Sequence, residues 1–269
     1  MGRRTKPIGF LMHAWIDFHT HIFDSPSLSE AVVLSKKANV KHWLVNSQDM
    51  DNYAHFLSLV SQAPLAIVGM GWHPQNVITV PPSTIPTVLS QFEKNVSRAP
   101  YLGETGLDFL YGKTDVQKEN QVRVFSQFCD WANEHNKLLI VHTRHAKQEA
   151  IDILHQKGVK KVILHWFSGN PKQTQQLIEN KWVATVGPTM LNSPHMDKFV
   201  EAMPLDLIGL ETDSPIPFDG KPSSPDWIPL VGRRVAELKG VPLSSVQEAQ
   251  SSLFSRFFPT VPKNPSLLE

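Results

Sequence analysis

The stretch Leu138-Leu139-Ile140-Val141-His142 is a short apolar run that ends in an ionisable side chain, and an amphipathic segment follows it. This unit recurs along the chain. Eight such runs predict strands over 14–19, 41–46, 66–71, 101–104, 138–142, 161–165, 182–186 and 207–211. Near-continuous apolar runs are typical of parallel strands that are covered on both faces. Eight strand–helix units favour an α/β fold of the (β/α)8 TIM barrel type over an open, doubly wound sheet.

Helix boundary signals fill the gaps between these strands. A capping residue followed by a glutamate, a glutamine or a proline predicts helix starts at Ser27, Thr114, Asn170 and Ser193. Glycines in the position of a helix end stand at Gly158 and Gly240. Two further helical segments, over 226–239 and 244–257, follow the eighth strand.

The domain organisation is predicted to be simple. Residues 1–13 are expected to form a loosely ordered leader, residues 14–259 a single TIM-barrel domain, and residues 260–269 a C-terminal tail. No segment reaches the roughly 18 apolar residues that a membrane span needs. We therefore expect a cytoplasmic protein without membrane partners.

The net charge and the cysteine count exclude two features, a large basic binding surface and an internal disulfide. The 26 basic and 25 acidic residues give a net charge of +1, which excludes a chain whose affinity rests on a large basic surface. The single cysteine excludes an internal disulfide. Cys129 falls inside a long helical pattern and is predicted to be a core residue rather than a metal ligand.

Ionisable residues follow the predicted strands. In a barrel the carboxyl ends of all strands surround one mouth, so these side chains should converge there. Four histidines and two carboxylates exceed a single tetrahedral site and suit two divalent ions that share Glu104. Nitrogen and oxygen ligands without a thiolate allow zinc, magnesium or manganese. The predicted ligands are His19, His21, Glu104, His142, His165 and Asp213.

Six motifs in order make the chain resemble the TatD family of metal-dependent deoxyribonucleases over about residues 15–258. These motifs are Asp17-x-His-x-His21, Gly71-Trp-His-Pro74, Gly103-Glu-Thr-Gly-Leu-Asp108, Val141-His-Thr-Arg144, His165-Trp-Phe-Ser-Gly169 and Glu211-Thr-Asp-Ser-Pro215. The resemblance implies an amidohydrolase-type barrel with a divalent metal centre. It also implies hydrolysis of phosphodiester bonds in DNA, often as a 3′–5′ exonuclease, with the same six ligands.

Roles at the predicted mouth follow from chemistry and position. Asp213 is the expected base for the attacking water, and Glu104 the bridging carboxylate. His73 and Arg144 are predicted to bind substrate phosphate, with a turn and an ion pair to Glu149 as the respective alternatives. Asp17 is expected to orient the neighbouring histidines. We expect DNA, single-stranded or at 3′ ends, as the substrate of a monomer.

Two departures from the family pattern bear on substrate preference. Family members often carry a cysteine where this chain has Trp166, and an asparagine between two prolines where it has Pro222-Ser-Ser-Pro225. Three aromatic residues near the mouth could stack on bases or be buried by packing: Trp72, Phe109 and Trp166.

Two other functions are compatible with the same residues. One is hydrolysis of a small ester, lactone, amide or organophosphate by an amidohydrolase-type enzyme, because a fold does not determine a substrate. Some such enzymes bridge their metals with a modified lysine, and the glutamate at position 104 counts against that version. The other is a metal-binding module without activity, and the complete ligand set counts against it.

Overall fold

A computed structural model describes residues 14–25 and 27–265 of the chain. Parallel strands alternate with helices, and a short hairpin follows the eighth strand. The strands are β1 (Trp15–Thr20), β2 (Val40–Asn46), β3 (Ala66–Gly69), β4 (Leu102–Asp108), β5 (Leu139–Arg144), β6 (Val162–Leu164), β7 (Val183–Val186), β8 (Ile208–Leu210), β9 (Pro217–Phe218) and β10 (Lys221–Pro222).

The helices lie between these strands and after the hairpin. The α-helices are α1 (Leu28–Lys37), α2 (Met50–Leu59), α3 (Pro74–Val77), α4 (Ile85–Val96), α5 (Asp115–Glu134), α6 (Lys147–Lys157), α7 (Pro171–Asn180), α8 (Pro194–Ala202), α9 (Ile228–Lys239) and α10 (Leu243–Phe257). Short 3-10 helices lie at Ile22–Asp24, Pro82–Thr84, Pro188–Asn192, Leu205–Leu207 and Pro225–Trp227.

The first eight strands follow one another in chain order, in a parallel ladder of β1 to β3 and another of β4 to β8. Two seams join the ladders. A parallel bridge links Met70 to Leu102, and the N–H of Asp213 donates to the carbonyl oxygen of His19 at 3.0 Å. The predicted (β/α)8 fold class is confirmed, although the strand ladder is not continuous around the barrel within the described residues.

The strands form where the apolar runs predicted them, because most of their residues are buried between the barrel interior and the helices. The largest difference is at β4, which continues to Asp108 rather than ending at Glu104. In the sequence, the glycines of β4 are typical of a loop. In the structure, they allow the backbone of β5 to lie close to β4. A Cβ at Gly106 would lie 2.2 Å from the carbonyl oxygen of His142, and the backbone there has a φ of +140°. Glycine therefore lets β4 pass directly beside β5.

Most predicted helix boundaries are confirmed. Complete capping boxes begin α5 at Thr114 and α7 at Asn170, and left-handed glycines end α6 and α9. The prediction of a capping box at Ser27 was wrong. Its side chain accepts no hydrogen bond from α1, because its backbone has a ψ of 33° instead of the extended conformation that a cap requires.

The C-terminal part of the chain bonds to β3. The N–H of Val68 donates to Oδ1 of Asn264 at 2.8 Å, and Nδ2 of Asn264 donates to the carbonyl oxygen of Ala66 at 2.8 Å. This side-chain amide bonds β3 as a peptide group of an adjacent strand would. The predicted leader and residues 266–269 of the predicted tail lie outside the described residues, and the domain boundaries stay a prediction. No described helix combines the length and apolar character that crossing a bilayer demands.

Candidate metal centre

The six predicted ligands are brought together around the buried carboxylate of Glu104. Its Oε2 lies 3.1 Å from Nε2 of His21 and 3.5 Å from Nε2 of His19. Its Oε1 lies 2.8 Å from Nδ1 of His142 and 2.9 Å from Nε2 of His165. Each oxygen of one carboxylate therefore faces its own pair of imidazoles.

Asp213 completes the group on the Oε2 side. Its Oδ1 lies 3.4 Å from Nε2 of His19 and 3.6 Å from Nε2 of His21, and these two ring nitrogens are 3.2 Å apart. The residue has a left-handed backbone with a φ of +49°, which is uncommon outside glycine and typical of functional loops. This conformation directs the carboxylate of a residue just after β8 toward the ends of β1.

The chemistry of these atoms fits divalent ions. Ring nitrogens and carboxylate oxygens face one another at the spacing of neighbouring ligands, and two of the closest pairs are nitrogen facing nitrogen. A bound cation would replace the protons that such nitrogen pairs otherwise need to share. The potential ligand atoms of His19, His21 and Glu104 lie within 4.8 Å of one another. Cys129 is fully buried in α5, as predicted, so it contributes no thiolate.

Asn46, at the end of β2, fixes the first pair of histidines. Its carbonyl oxygen accepts a hydrogen bond from Nδ1 of His21 at 2.9 Å, which leaves Nε2 of that ring free to bind a metal. Its side-chain amide lies 3.1 Å from Nδ1 of His19. The same Nδ2 donates to the carbonyl oxygen of Leu44 at 3.0 Å, which fixes the orientation of the amide.

Asp108 fixes the ring of His142. Its Oδ2 lies 3.2 Å from Nε2 of His142 and accepts a hydrogen bond from the amide of Gln75 at 2.8 Å. Its Oδ1 accepts from the N–H groups of Leu110 and Tyr111. Asp108 therefore stabilises the loop after β4 and also contacts a predicted ligand.

Two more buried carboxylates lie behind the site. Oε2 of Glu211 accepts a hydrogen bond from Oγ1 of Thr185 at 2.6 Å and lies 3.6 Å from Nδ1 of His165. Oδ1 of Asp17 accepts from the backbone N–H groups of His19 and Thr212. Asp17 therefore positions the backbone of β1 and of the segment after β8, and not the imidazole rings as the sequence suggested.

The electrostatics of the site favour an ionised centre. Burial opposes ionisation of Glu104, but the surrounding histidines, His165 foremost, hold the pKa of its carboxyl well below its usual range. Burial likewise opposes protonation of His21, but the carboxylates of Glu104 and Asp213 raise its pKa to about 9. The pKa values of His142 and His165 are raised as well, whereas burial and the nearby His165 lower the pKa of His19.

His73 lies just outside this group and begins α3. Its Nδ1 accepts a hydrogen bond from the backbone N–H of Gln75 at 3.2 Å, so the neutral ring carries its proton on Nε2. That Nε2 lies 3.5 Å from Oε1 of Glu104. Burial lowers the pKa of His73, which favours this neutral form. The ring therefore directs Nε2 toward Glu104, and the potential ligand atoms of His73, Glu104 and His142 also lie close enough together to hold a metal ion.

Arg144 is exposed at the end of β5, where its guanidinium lies over the Tyr111 ring at 5.5 Å from the centroid. Its alternative partner, Glu149, forms no ion pair with it in the part of the chain that the structure describes. The predicted phosphate binders His73 and Arg144 both line a cavity of about 1060 Å³ above the metal-facing atoms. This cavity is large enough for a substrate of nucleotide size.

The aromatic residues near the mouth separate into two groups. Trp72 is 2 % exposed and stacks on Phe92, and Phe109 packs against the core. Trp166 alone of the three lines the cavity. The packing alternative therefore holds for Trp72 and Phe109, and the base-stacking role stays open only for Trp166.

Sequence reasoning missed some supporting residues. Asn46 carries no charge, yet it ends an apolar strand just as the predicted ligands do, and that position was the available signal. Gln121 of α5 is buried and bonds both backbone groups of Asp108, donating to its carbonyl oxygen and accepting from its N–H. Nothing in its helical context distinguished it from a surface glutamine.

Comparison with known proteins defines the class to which this fold and site belong. The sequence profile of the family described as TatD related DNase matches residues 16–259. The chain is 28% identical over 269 residues to a protein named putative deoxyribonuclease TATDN3 from Mus musculus, covering 94% of this chain and 90% of that protein. It is 30% identical over 259 residues to a protein named uncharacterized metal-dependent hydrolase YcfH from Escherichia coli K12, covering 90% and 95%.

A solved structure has the same fold. The crystal structure of YjjV, a TatD homologue from Escherichia coli K12, matches with a TM-score of 0.81 at 22% identity, over 93% of this chain and 99% of that one. This chain belongs to the TatD family. The predictions of the family and of a metal-dependent hydrolase are thereby confirmed.

Proposed function

We propose that this chain is a metal-dependent phosphodiester hydrolase that cleaves DNA. The observation that carries the proposal is the division of the Glu104 carboxylate between two groups of ligands. The proposed first ion is held by His19, His21, Asp213 and Oε2 of Glu104, and the proposed second ion by His142, His165 and Oε1 of Glu104. The names of the deoxyribonuclease relatives support DNA as the substrate.

Two divalent ions, when bound, supply a water of lowered pKa and positive charge for a phosphodiester transition state. Asp213 is the proposed general base. Burial opposes its ionisation, but contact with His19 and the charges of nearby histidines lower its pKa, so the carboxylate is ionised at neutral pH, as a general base must be. It accepts the proton from the attacking water and returns it to the leaving oxygen.

His73 and Arg144 are proposed to hold the substrate phosphate. The Nε2–H of His73 points into the cavity near Glu104, where a phosphate oxygen can accept its hydrogen bond. Arg144 adds a permanent charge at the rim and can bond two phosphate oxygens at once. His73, beside Glu104, orients the phosphorus for in-line attack, and Arg144 at the rim holds the strand through a neighbouring phosphate.

The test is digestion of end-labelled single-stranded and double-stranded DNA with added Zn²⁺, Mg²⁺ or Mn²⁺, with the product lengths resolved. We expect metal-dependent shortening from the 3′ end, faster on single strands, that a chelator stops without unfolding the barrel. Ester and amide substrates serve as the comparison. Turnover of these without cleavage of DNA would overturn the proposal, and metal analysis that found fewer than two ions per chain at saturation would overturn the two-metal site.

A cytoplasmic location and a monomeric state, both expected from the sequence, are also proposals. Cell fractionation and light scattering test them directly.

A further inference from the structure

Trp166 occupies an unusual position at the mouth. It follows His165 directly, lines the cavity and is half-buried, and its backbone has a φ of +43°. Its N–H donates to Oγ1 of Thr185 at 3.1 Å, and the hydroxyl of Thr185 in turn donates to Glu211. A bulky residue rarely adopts this backbone conformation, and a buried hydrogen-bond network holds it here.

The indole of Trp166 stacks on no other ring among the described residues. The buried Trp15, Trp43 and Trp182 also lack a ring contact there, but Trp166 differs from them because it lines the cavity. An aromatic face that lines a cavity above a metal centre is available to a planar ligand. Nucleobases stack on such faces regardless of their sequence.

Positive charge lies on one side of the same cavity. Arg144 and Lys147 line it from the end of β5 and the start of α6, and the exposed Glu149 on the same segment offsets one of these two charges. Asp24 and Gln48 line it on another side and bring no positive charge. A polyanion that has one phosphate at the metal centre is therefore attracted along the β5–α6 segment.

The guanidinium of Arg144 is already oriented for this role. The Tyr111 ring supports it, and the backbone carbonyl of Arg144 accepts a hydrogen bond from the N–H of Phe109 at 2.9 Å. Lys147 is less available, because its Nζ donates to the carbonyl oxygen of Ser168. Arg144 is thus the principal cation for a second phosphate.

We propose that the cavity contains a nucleotide subsite beside the scissile phosphate, in which Trp166 stacks on the base and Arg144 binds the phosphate of the adjoining nucleotide. This inference rests on the proposed function and specifies its substrate. A base can stack on a side chain only when it has left the base-pair stack. The substrate class is therefore an unpaired polynucleotide end of at least two nucleotides.

Kinetics on two substrates test the subsite. A single-stranded tetranucleotide fills it, whereas bis(p-nitrophenyl) phosphate offers the same bond type without a second nucleotide. We expect Trp166→Ala to lower kcat/KM for the tetranucleotide about tenfold more than for the small diester, since base stacking contributes on this scale. Trp166→Phe should recover part of this loss. Arg144→Gln should act in the same direction, and the exposed Arg123→Gln of α5 should change neither rate.

Binding gives a second readout that does not require cleavage. In an Asp213→Asn background with metal present, Trp166→Ala should weaken binding of the labelled tetranucleotide about tenfold. Equal losses on both substrates with unchanged binding would overturn the subsite. Failure of the unsubstituted protein to cleave either diester would overturn the proposed function instead, and the binding measurement would still decide the subsite.

Discussion

The carboxylate of Asp108 lies 3.2 Å from Nε2 of His142, on the opposite edge of the ring from the nitrogen that faces Glu104. This contact fixes the ring orientation and keeps the proton on Nε2, so that Nδ1 presents a lone pair to the centre. Burial opposes ionisation of Asp108, but hydrogen bonds from His142 and Gln75 lower its pKa to about 2. The carboxylate therefore stays ionised wherever the protein is folded.

Asp108→Asn should weaken metal binding about 10- to 100-fold, as loss of a carboxylate behind a ligating histidine typically does. The amide oxygen can still accept from the N–H groups of Leu110 and Tyr111, so the loop should keep its conformation. Competition with a chromophoric chelator measures the affinity. Asp130→Asn, an exposed carboxylate paired with Lys157, is the matched control. Equal affinity in both variants would contradict the role of Asp108.

Asp213→Asn should lower turnover of DNA by about 100- to 10,000-fold, because it removes the proposed base. The far-ultraviolet circular dichroism should not change, since the substitution preserves the size of the side chain. Glu149→Gln, an exposed carboxylate at the rim of the same cavity, controls for the loss of one negative charge. A near-normal rate for Asp213→Asn would remove the assigned role.

His73→Asn separates phosphate binding from metal binding. Asparagine can still accept from the N–H of Gln75, but it cannot reach the phosphate. We expect kcat/KM for phosphodiesters to fall about 10- to 100-fold, as expected for a lost hydrogen bond to a charged group, with a smaller effect on uncharged esters. The metal content should stay at the level of the unsubstituted protein. Loss of one ion per chain would instead identify His73 as a ligand.

The stability of the metal-free protein should fall as the pH rises from about 6.5 to 9. The pKa of His21 is raised to about 9 from an ordinary value near 6.5, and the pKa values of His142 and His165 are raised as well. Burial opposes each increase. Contact with Glu104 drives it for His21 and His165, and contact with Asp108 and then Glu104 drives it for His142. A raised histidine pKa stabilises the fold fully below the unfolded value and loses this contribution as the pH passes the folded value.

Thermal unfolding in the presence of a chelator measures this dependence. In a chain of this size, each kcal/mol of stability shifts the melting temperature by about 2–4 °C. The pKa values of His19 and His73 are lowered. These two residues therefore change the stability only below the ordinary histidine pKa of about 6.5, outside this pH range. Saturating metal should reverse the trend, because deprotonated rings bind the ion. A metal-free melting temperature that rises across this range would contradict the assigned electrostatics.

Sequence reasoning located the strands and singled out six residues that the structure brings together, because both depend on local pattern. An apolar run followed by an ionisable residue, as at His142, specifies a buried strand and its functional end at the same time. The continuation of β4 to Asp108 was missed because its glycines weaken the strand pattern. Their purpose, close contact with β5, becomes visible only when the neighbouring strand is in place.

Contacts that join distant segments could not be predicted in this way. The bond between Asp17 and the backbone of Thr212 spans the seam between the first and last strands. Asp17 lies two residues before His19 in the first predicted strand, so both side chains should lie on one face. This position favoured a contact between Asp17 and the histidine rings. The partner that it bonds instead lies 195 positions away, and no local pattern indicates it.

The amide of Asn264 has a consequence for the order in which the chain can fold. Its two bonds to β3 join positions separated by 196 and 198 residues. During synthesis the backbone groups of Ala66 and Val68 have emerged long before this partner exists. These two bonds can therefore form only after residue 264 has been synthesised, which makes them late contacts of high contact order.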